Sequence, residues 1–167
     1  MEFNLALNKE ESDLGSTHFL GCPDVPSTWN DNAIFNNDEI FIGQINLKDL
    51  NHDLILNQGI LYFFLATGSY PLRGIVRYTK ELNNLERIDF NIDSSYQFDY
   101  DREYSLINGS NDVKLLIDNQ NKKDDLVLLE LNLNISKEIN HLVYVININD
   151  LKNNQFDKAH LNILLED

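Results

Sequence analysis

Residues 41–47 read FIGQINL and residues 127–133 read VLLELNL. Each run is mostly branched or large apolar residues, with one polar residue near its middle, Gln44 or Glu130, and each closes on an apolar–Asn–apolar step. Such a composition favours strands, because branched and aromatic side chains fit a pleated surface. A loop with an Asn near its end, Asn57 or Asn140, follows each run. Next comes an apolar run whose third residue is Tyr: ILYFFL from residue 60, with Tyr62, and LVYVIN from residue 142, with Tyr144. A strand–loop–strand unit used twice predicts an internal repeat over 40–79 and 125–166, two similar β units sharing one core.

The rest of the chain fits that frame. β-like runs are expected at 40–47, 59–66, 74–79, 85–92, 96–100, 113–118, 125–133, 141–148 and 160–166. Thr67-Gly68 and Asn108-Gly109 read as turns between them. Residues 1–17 are ambiguous, with EESDLGSTH reading as the start or cap of a short helix and Ser12 as a candidate N-cap, and residues 18–38, rich in Pro, Asn and Asp, read as irregular. The expected fold class is therefore α+β and mainly β, with antiparallel or mixed sheets from two similar halves and few short helices. A chain of 167 residues with 43% apolar content fits one such domain, residues 1–167.

Charge narrows the partners. The formal net charge is −14, which repels nucleic-acid phosphates and anionic lipid; it suits a basic protein partner or serves solubility alone. The longest apolar run, ILYFFLA at 60–66, is far short of the roughly 20 residues a membrane helix needs. A single Cys forms no internal disulfide, and no secretory apolar segment follows Met1, so a cytoplasmic protein is expected.

HFLGCPDVPSTW, residues 18–29, concentrates the only Cys, the only Trp and two of the three Pro. His18 and Cys22 suggest a base and a nucleophile, yet nucleophilic catalysis needs a third, orienting group, and no such signature surrounds Cys22. The pair reads as structural. Pro23 and Pro26 fix φ and remove two backbone donors, which predicts a stiff, non-strand loop. Trp29 would anchor it by burying its ring, making the segment a strap or lid over one end of the sheet. Gln44 interrupts an apolar strand, where an unbonded amide is costly. Its expected role is to hold a loop such as 18–29, with a ligand groove as the competing role. Tyr62, beside Phe63 and Phe64, reads as core packing, since no basic patch accompanies it for base stacking.

Other chemistry finds less support. The four His, at 18, 52, 141 and 160, show no metal-helix spacing, and no phosphate loop or nucleophile elbow occurs. No catalytic residue, metal or cofactor is expected. DYDRE sets Asp99, Asp101 and Glu103 at alternate positions, so on a strand they project from one face. They are the expected partner-binding group. A solvated edge that discourages stray strand pairing and a hard-cation loop are the alternatives.

The ordered motifs FLGCPDVPSTW, FIGQINLKDL and NQGILYFFL, then LVLLELNL and LVYVININDLKNNQFDKAHL, resemble the YwqG-like family of bacterial proteins, a family of unknown function. The likeness runs over roughly residues 14–166, with Gly21-Cys22 where the family has a Gly-Gly pair. The resemblance implies a β-rich α+β fold of two related halves, no established enzyme activity, and a binding role of the immunity type that blocks a bacterial toxin. The alternative is a binder of a carbohydrate or peptide, or a hydrolase, with a groove between the halves.

Overall fold

Both quoted runs become long strands within one curled sheet. The computed structural model describes residues 1–50, 58–68, 70–90, 102–119 and 122–162. The first half contains β1 (Glu2–Leu7), β2 (His18–Leu20), β3 (Asp24–Pro26), β4 (Glu39–Asn46), β5 (Ile60–Ala66), β6 (Arg73–Thr79) and β7 (Leu85–Arg87). The second half contains β8 (Glu103–Asn108), β9 (Val113–Asp118), β10 (Asp125–Asn132), β11 (His141–Asn147) and β12 (His160–Leu161). Two short helices, α1 (Ser27–Asp31) and α2 (Ile148–Lys152), leave the fold α+β and mainly β, as expected.

Ten strands make one antiparallel sheet in the order β12-β11-β10-β9-β1-β8-β2-β4-β5-β6, while β3 and β7 form a separate ribbon. The chain follows one path twice. β2-β4-β5-β6 and β9-β10-β11-β12 are matching rows, and the strand that opens each half has crossed to the other row. β1 thus pairs with both β9 and β8, and β8 pairs with β2.

The match extends to single residues. β4 bulges between Phe41 and Gly43, and β10 between Val127 and Leu129. Phe19 pairs with Gly43 and Leu115 with Leu129, and the next residues, Leu20 and Leu116, have φ of 59° and 54°. A left-handed conformation is rare for leucine, so its occurrence at matched positions marks a shared backbone design. The two Asn of the apolar–Asn–apolar steps also correspond. Asn46 donates to the Gly15 carbonyl at 2.8 Å, and Asn132 to the Asn111 carbonyl at 3.3 Å. Bulges bend a strand and raise its twist, which curls a sheet this wide toward closure.

The two ends of the row meet at Gly74 in β6. A Cβ placed there would lie 2.7 Å from the Tyr144 ring and 3.1 Å from Leu161 Cβ in β12. Across the same seam the Tyr144 hydroxyl donates to the Phe64 carbonyl at 2.8 Å. The result is nearly a barrel. Its interior is filled by Phe19, Ile42, Phe63, Leu65, Leu129 and Leu131 among others, with the Phe63 and Tyr144 rings edge-on at 5.1 Å. Along β5 alternate residues turn to opposite faces. Phe63 and Leu65 point in, whereas Ile60, Tyr62 and Phe64 point out beneath Val25, Trp29, Leu85 and Phe90. Cover on both faces explains why 60–66 is apolar throughout rather than alternating.

Several expectations change. Residues 2–7, left ambiguous by the sequence, are a strand, and EESDLGSTH forms no helix for Ser12 to cap: the Ser12 N–H donates to Glu103. The stretch 18–29 is not strand-free, for it contributes β2 and β3. Pro26 is tolerated because it ends β3 in a two-stranded ribbon, where its missing N–H interrupts no central ladder. Of the run 85–92, strand is formed at Leu85–Arg87 and not at 88–90, and of 160–166 at His160–Leu161, with 91–92 and 163–167 outside the described residues. The run 96–100 also lies outside them, and β8 was not expected. Tyr62 and Tyr144, matched by strand position, are not counterparts in register. Tyr144 stands opposite Leu129 as Phe63 stands opposite Gly43, so Tyr62 faces out and Tyr144 in.

Since Gly74 leaves no room for a side chain at the seam, Gly74→Val should force the edges apart. A loss of about 1–3 kcal/mol in urea unfolding is expected, and an unchanged midpoint would show that the seam tolerates the bulk.

Candidate functional site

The polar residues singled out in the sequence converge under the first-half cover. Asp24 opens β3 with no solvent exposure, flanked by Pro23 and followed by Val25. Its Oδ1 accepts from Arg87 Nε at 2.6 Å, and its Oδ2 accepts from Arg87 at 3.0 Å, from the Gly15 N–H at 2.8 Å and from Gln44 Nε2 at 3.0 Å. Gln44, also fully buried, works from both ends of its amide. Its Oε1 accepts from the Asp24 N–H at 2.8 Å, and its Nε2 also donates to the Ser16 carbonyl at 2.8 Å. The Tyr62 hydroxyl donates to the Asp24 carbonyl at 2.6 Å, and Trp29 lies edge-on to the Tyr62 ring at 5.2 Å. Pro23, Pro26 and Trp29 therefore lie over the outer face of β4 and β5, rather than over an end of the sheet.

His18 and Cys22 are neighbours without being a catalytic pair. His18 Nε2 donates to the Cys22 carbonyl at 2.8 Å, so the ring meets the backbone of Cys22, not its thiol. Burial pushes the half-buried Cys22 thiol above its ordinary value, away from the reactive thiolate. Arg87 is held all the more firmly charged by its hydrogen bonds to Asp24. Asp24 and Arg87 were missed in the sequence. An acid enclosed by PDVP in an apolar setting was the available signal, since such a group needs a partner.

A second buried pair fixes the approach to β4. Arg77 donates to Glu39 at 2.7 Å, and its guanidinium lies 4.9 Å from the ring centres of Phe35 and Phe64. Of the acidic group, Asp99 and Asp101 lie outside the described residues. Glu103 turns inward and is only 9% exposed, accepting from Asn8 at 2.9 Å and from the Ser12 N–H at 3.0 Å. His52 also lies outside the described residues.

A third arrangement was not expected. Where β8 and β11 begin and β10 ends, a cleft of about 590 Å³ is lined by Arg102, Tyr104, Asn132, Asn134, Asn140 and His141. Among the described residues no carboxylate lines it. The nearby Glu130, counterpart of Gln44, accepts from His141 Nε2 at 3.0 Å. Carboxamides, a phenol and an imidazole suit a polar ligand by hydrogen bonding. No group of three or more His, Cys, Asp or Glu suited to a metal ion occurs among the described residues, and no helix among them is long and apolar enough to cross a membrane.

Gln44→Leu keeps the volume but strands the Asp24 N–H and the Ser16 carbonyl, and should cost about 2–3 kcal/mol in urea unfolding. Glu130→Leu removes a partly exposed hydrogen bond to His141 and should cost less than about 1 kcal/mol. Equal losses would refute this ranking. Tyr62 and Tyr144 add a pH dependence, since burial pushes both phenols well above their ordinary value, with the Asp24 charge adding to Tyr62. The unfolded chain ionises near pH ~10 while the folded one stays protonated, so this stability is full below that pH and declines above it. The expected slope is about 1.4 kcal/mol per pH unit for each phenol. Tyr62→Phe should lower the slope measured by denaturant unfolding across this alkaline range by that one phenol's share, with Tyr144, Tyr78 and Cys22 supplying the remainder.

Comparison with protein-family models and with curated proteins finds no match for this chain.

Proposed function

We propose that this chain is a non-enzymatic binding protein that docks on a basic protein partner, in the manner of an immunity protein that blocks a toxin. The observation that carries the reading is the net charge of −14, which steers a cationic partner and speeds encounter. The polar groups under the first-half cover support it from the other side. His18, Asp24, Gln44, Tyr62 and Arg87 are engaged with one another or with backbone, and so serve to fix a surface. The likeness to YwqG-like proteins supplies the toxin-blocking expectation.

A second reading, a small-ligand binder or hydrolase acting on a carbohydrate or peptide, draws on the polar cleft beside β8, β10 and β11. Protection against heat by a sugar or peptide, with no protein partner present, would favour it.

The first reading is tested by co-expressing the chain with the product of the adjacent gene. A complex is expected whose association rate falls at least about tenfold between low and high salt, as for steered encounters. Absence of a complex with every neighbouring gene product, at roughly micromolar concentrations and low salt, would overturn it.

A further inference from the structure

The connection between β10 and β11 is pinned from below and closed on itself. Its Ile135 and Ile139 are buried in the barrel interior. The Ile139 carbonyl accepts from the Ile135 N–H at 2.9 Å and the Ser136 N–H at 3.1 Å, and the Asn140 carbonyl accepts from the Leu133 N–H at 3.2 Å. Inside the turn, the Ser136 hydroxyl accepts from the Ile139 N–H at 3.1 Å. A segment held by two core side chains and its own backbone bonds presents its outward residues in one geometry.

Those outward residues include Asn132, Asn134 and Asn140, all exposed. Asn132 is fixed from the neighbouring loop, its N–H on the Asp112 carbonyl at 2.8 Å and its Nδ2 on the Asn111 carbonyl at 3.3 Å. The side-chain amides of Asn134 and Asn140 make no hydrogen bond among the described residues. His141, opposite Asn132 in register, meets Glu130 through Nε2, so in the neutral ring Nδ1 is the acceptor. Arg102 and Tyr104, at the start of β8, complete the wall of the 590 Å³ cleft. That volume falls in the range of small-ligand sites, roughly 300–1,000 Å³.

We propose that this cleft binds a neutral sugar, with the side chains of Tyr104, Asn134 and Asn140 taking its hydroxyls. The assignment goes beyond the docking reading and rests on the small-ligand reading, of which it names the ligand. The balance of donors and acceptors on the wall selects that ligand. Each carboxamide, the phenol and the neutral imidazole can both donate and accept, as a sugar hydroxyl does. An anion only accepts; it would set its charge against the carboxamide oxygens, in a chain already at −14. A cation only donates, and it would meet the guanidinium of Arg102. A ring rich in hydroxyls satisfies both kinds of group at once, and Tyr104 and Leu133 offer apolar surface to its C–H face. The pinned loop matters for such a ligand, because its hydroxyls are almost as well bonded in water. Groups already ordered before binding lose little freedom in the complex.

The probes are the methyl glycosides of glucose, galactose and mannose, N-acetylglucosamine and maltose, each titrated into the isotope-labelled chain. Glucuronate and a capped Gly-Ser dipeptide are titrated in parallel. At least one neutral sugar should saturably shift the side-chain amide signals of Asn134 and Asn140, with a Kd of roughly 1–10 mM, within reach of a titration to about 50 mM. These shifts locate the site in the parent chain without recourse to a variant. Changing Asn134→Ala and Asn140→Ala together should weaken the sugar about five- to tenfold, the effect of losing two neutral hydrogen bonds, without moving the melting temperature. Saturable shifts by none of the neutral sugars, or tighter binding of glucuronate than of all of them, overturn the proposal. If only the dipeptide binds, the sugar assignment falls and the small-ligand reading stands; if nothing binds, both fall. Sugar shifts confined to other residues, or a double variant that binds as tightly as the parent, sink the cleft assignment and leave the small-ligand reading in place.

Discussion

Asp24 is a carboxylate with no contact with solvent, and the first-half cover is organised around keeping it satisfied. A buried charge is tolerated only when paired and fully hydrogen-bonded. Here Arg87 from β7, Gln44 from β4 and the Gly15 N–H supply four bonds to its oxygens. These groups come from three separate parts of the chain, so one carboxylate fixes the ribbon β3–β7, the loop before β2 and the main sheet in a single geometry. The apolar cluster of Val25, Tyr62, Phe64 and Phe90 provides most of the burial beneath them. The apolar contacts supply adhesion without direction, and the polar network supplies the register.

The strand runs were legible because branched and aromatic residues over four to eight positions leave few options, and β4, β5, β6, β9, β10 and β11 fall close to where the composition puts them. β1 and β8 escaped notice because EFNLAL and EYSLIN mix polar and apolar residues on strands that are only half-buried, so periodicity is weak there. That Gln44 would need a partner could be anticipated from local cost, since an amide in an apolar strand demands one. The pairing of Asp24 with Arg87 could not, since Arg87 lies 63 positions from Asp24 and nothing local links them. Glu103 misled for a related reason. Alternation puts residues on one face without saying whether that face looks inward, and here Glu103 binds the chain between β1 and β2.

A shared backbone plan underlies the regularity, and differing side chains underlie the departures from it. The bulges of β4 and β10, the left-handed Leu20 and Leu116 and the carbonyl-holding Asn46 and Asn132 are common to both halves. Gln44 and Glu130 show how such a position diverges. A neutral amide was placed under a cover, where it meets backbone, and an acid was placed where a half-exposed His141 can pair with it.

The crossing of β1 and β8 between the rows has a temporal side. β1 is made first, yet its partners are β8 and β9, about a hundred residues later in synthesis. At ordinary elongation rates of roughly 5–20 residues per second, β1 waits several seconds for them. Pairings so distant in sequence carry a large loop-closure cost and slow the search for the native arrangement. Throughout that wait the nascent first half displays the β2 edge that β8 will later occupy, which makes it a natural client for chaperones and a point at which two nascent chains could exchange their opening strands.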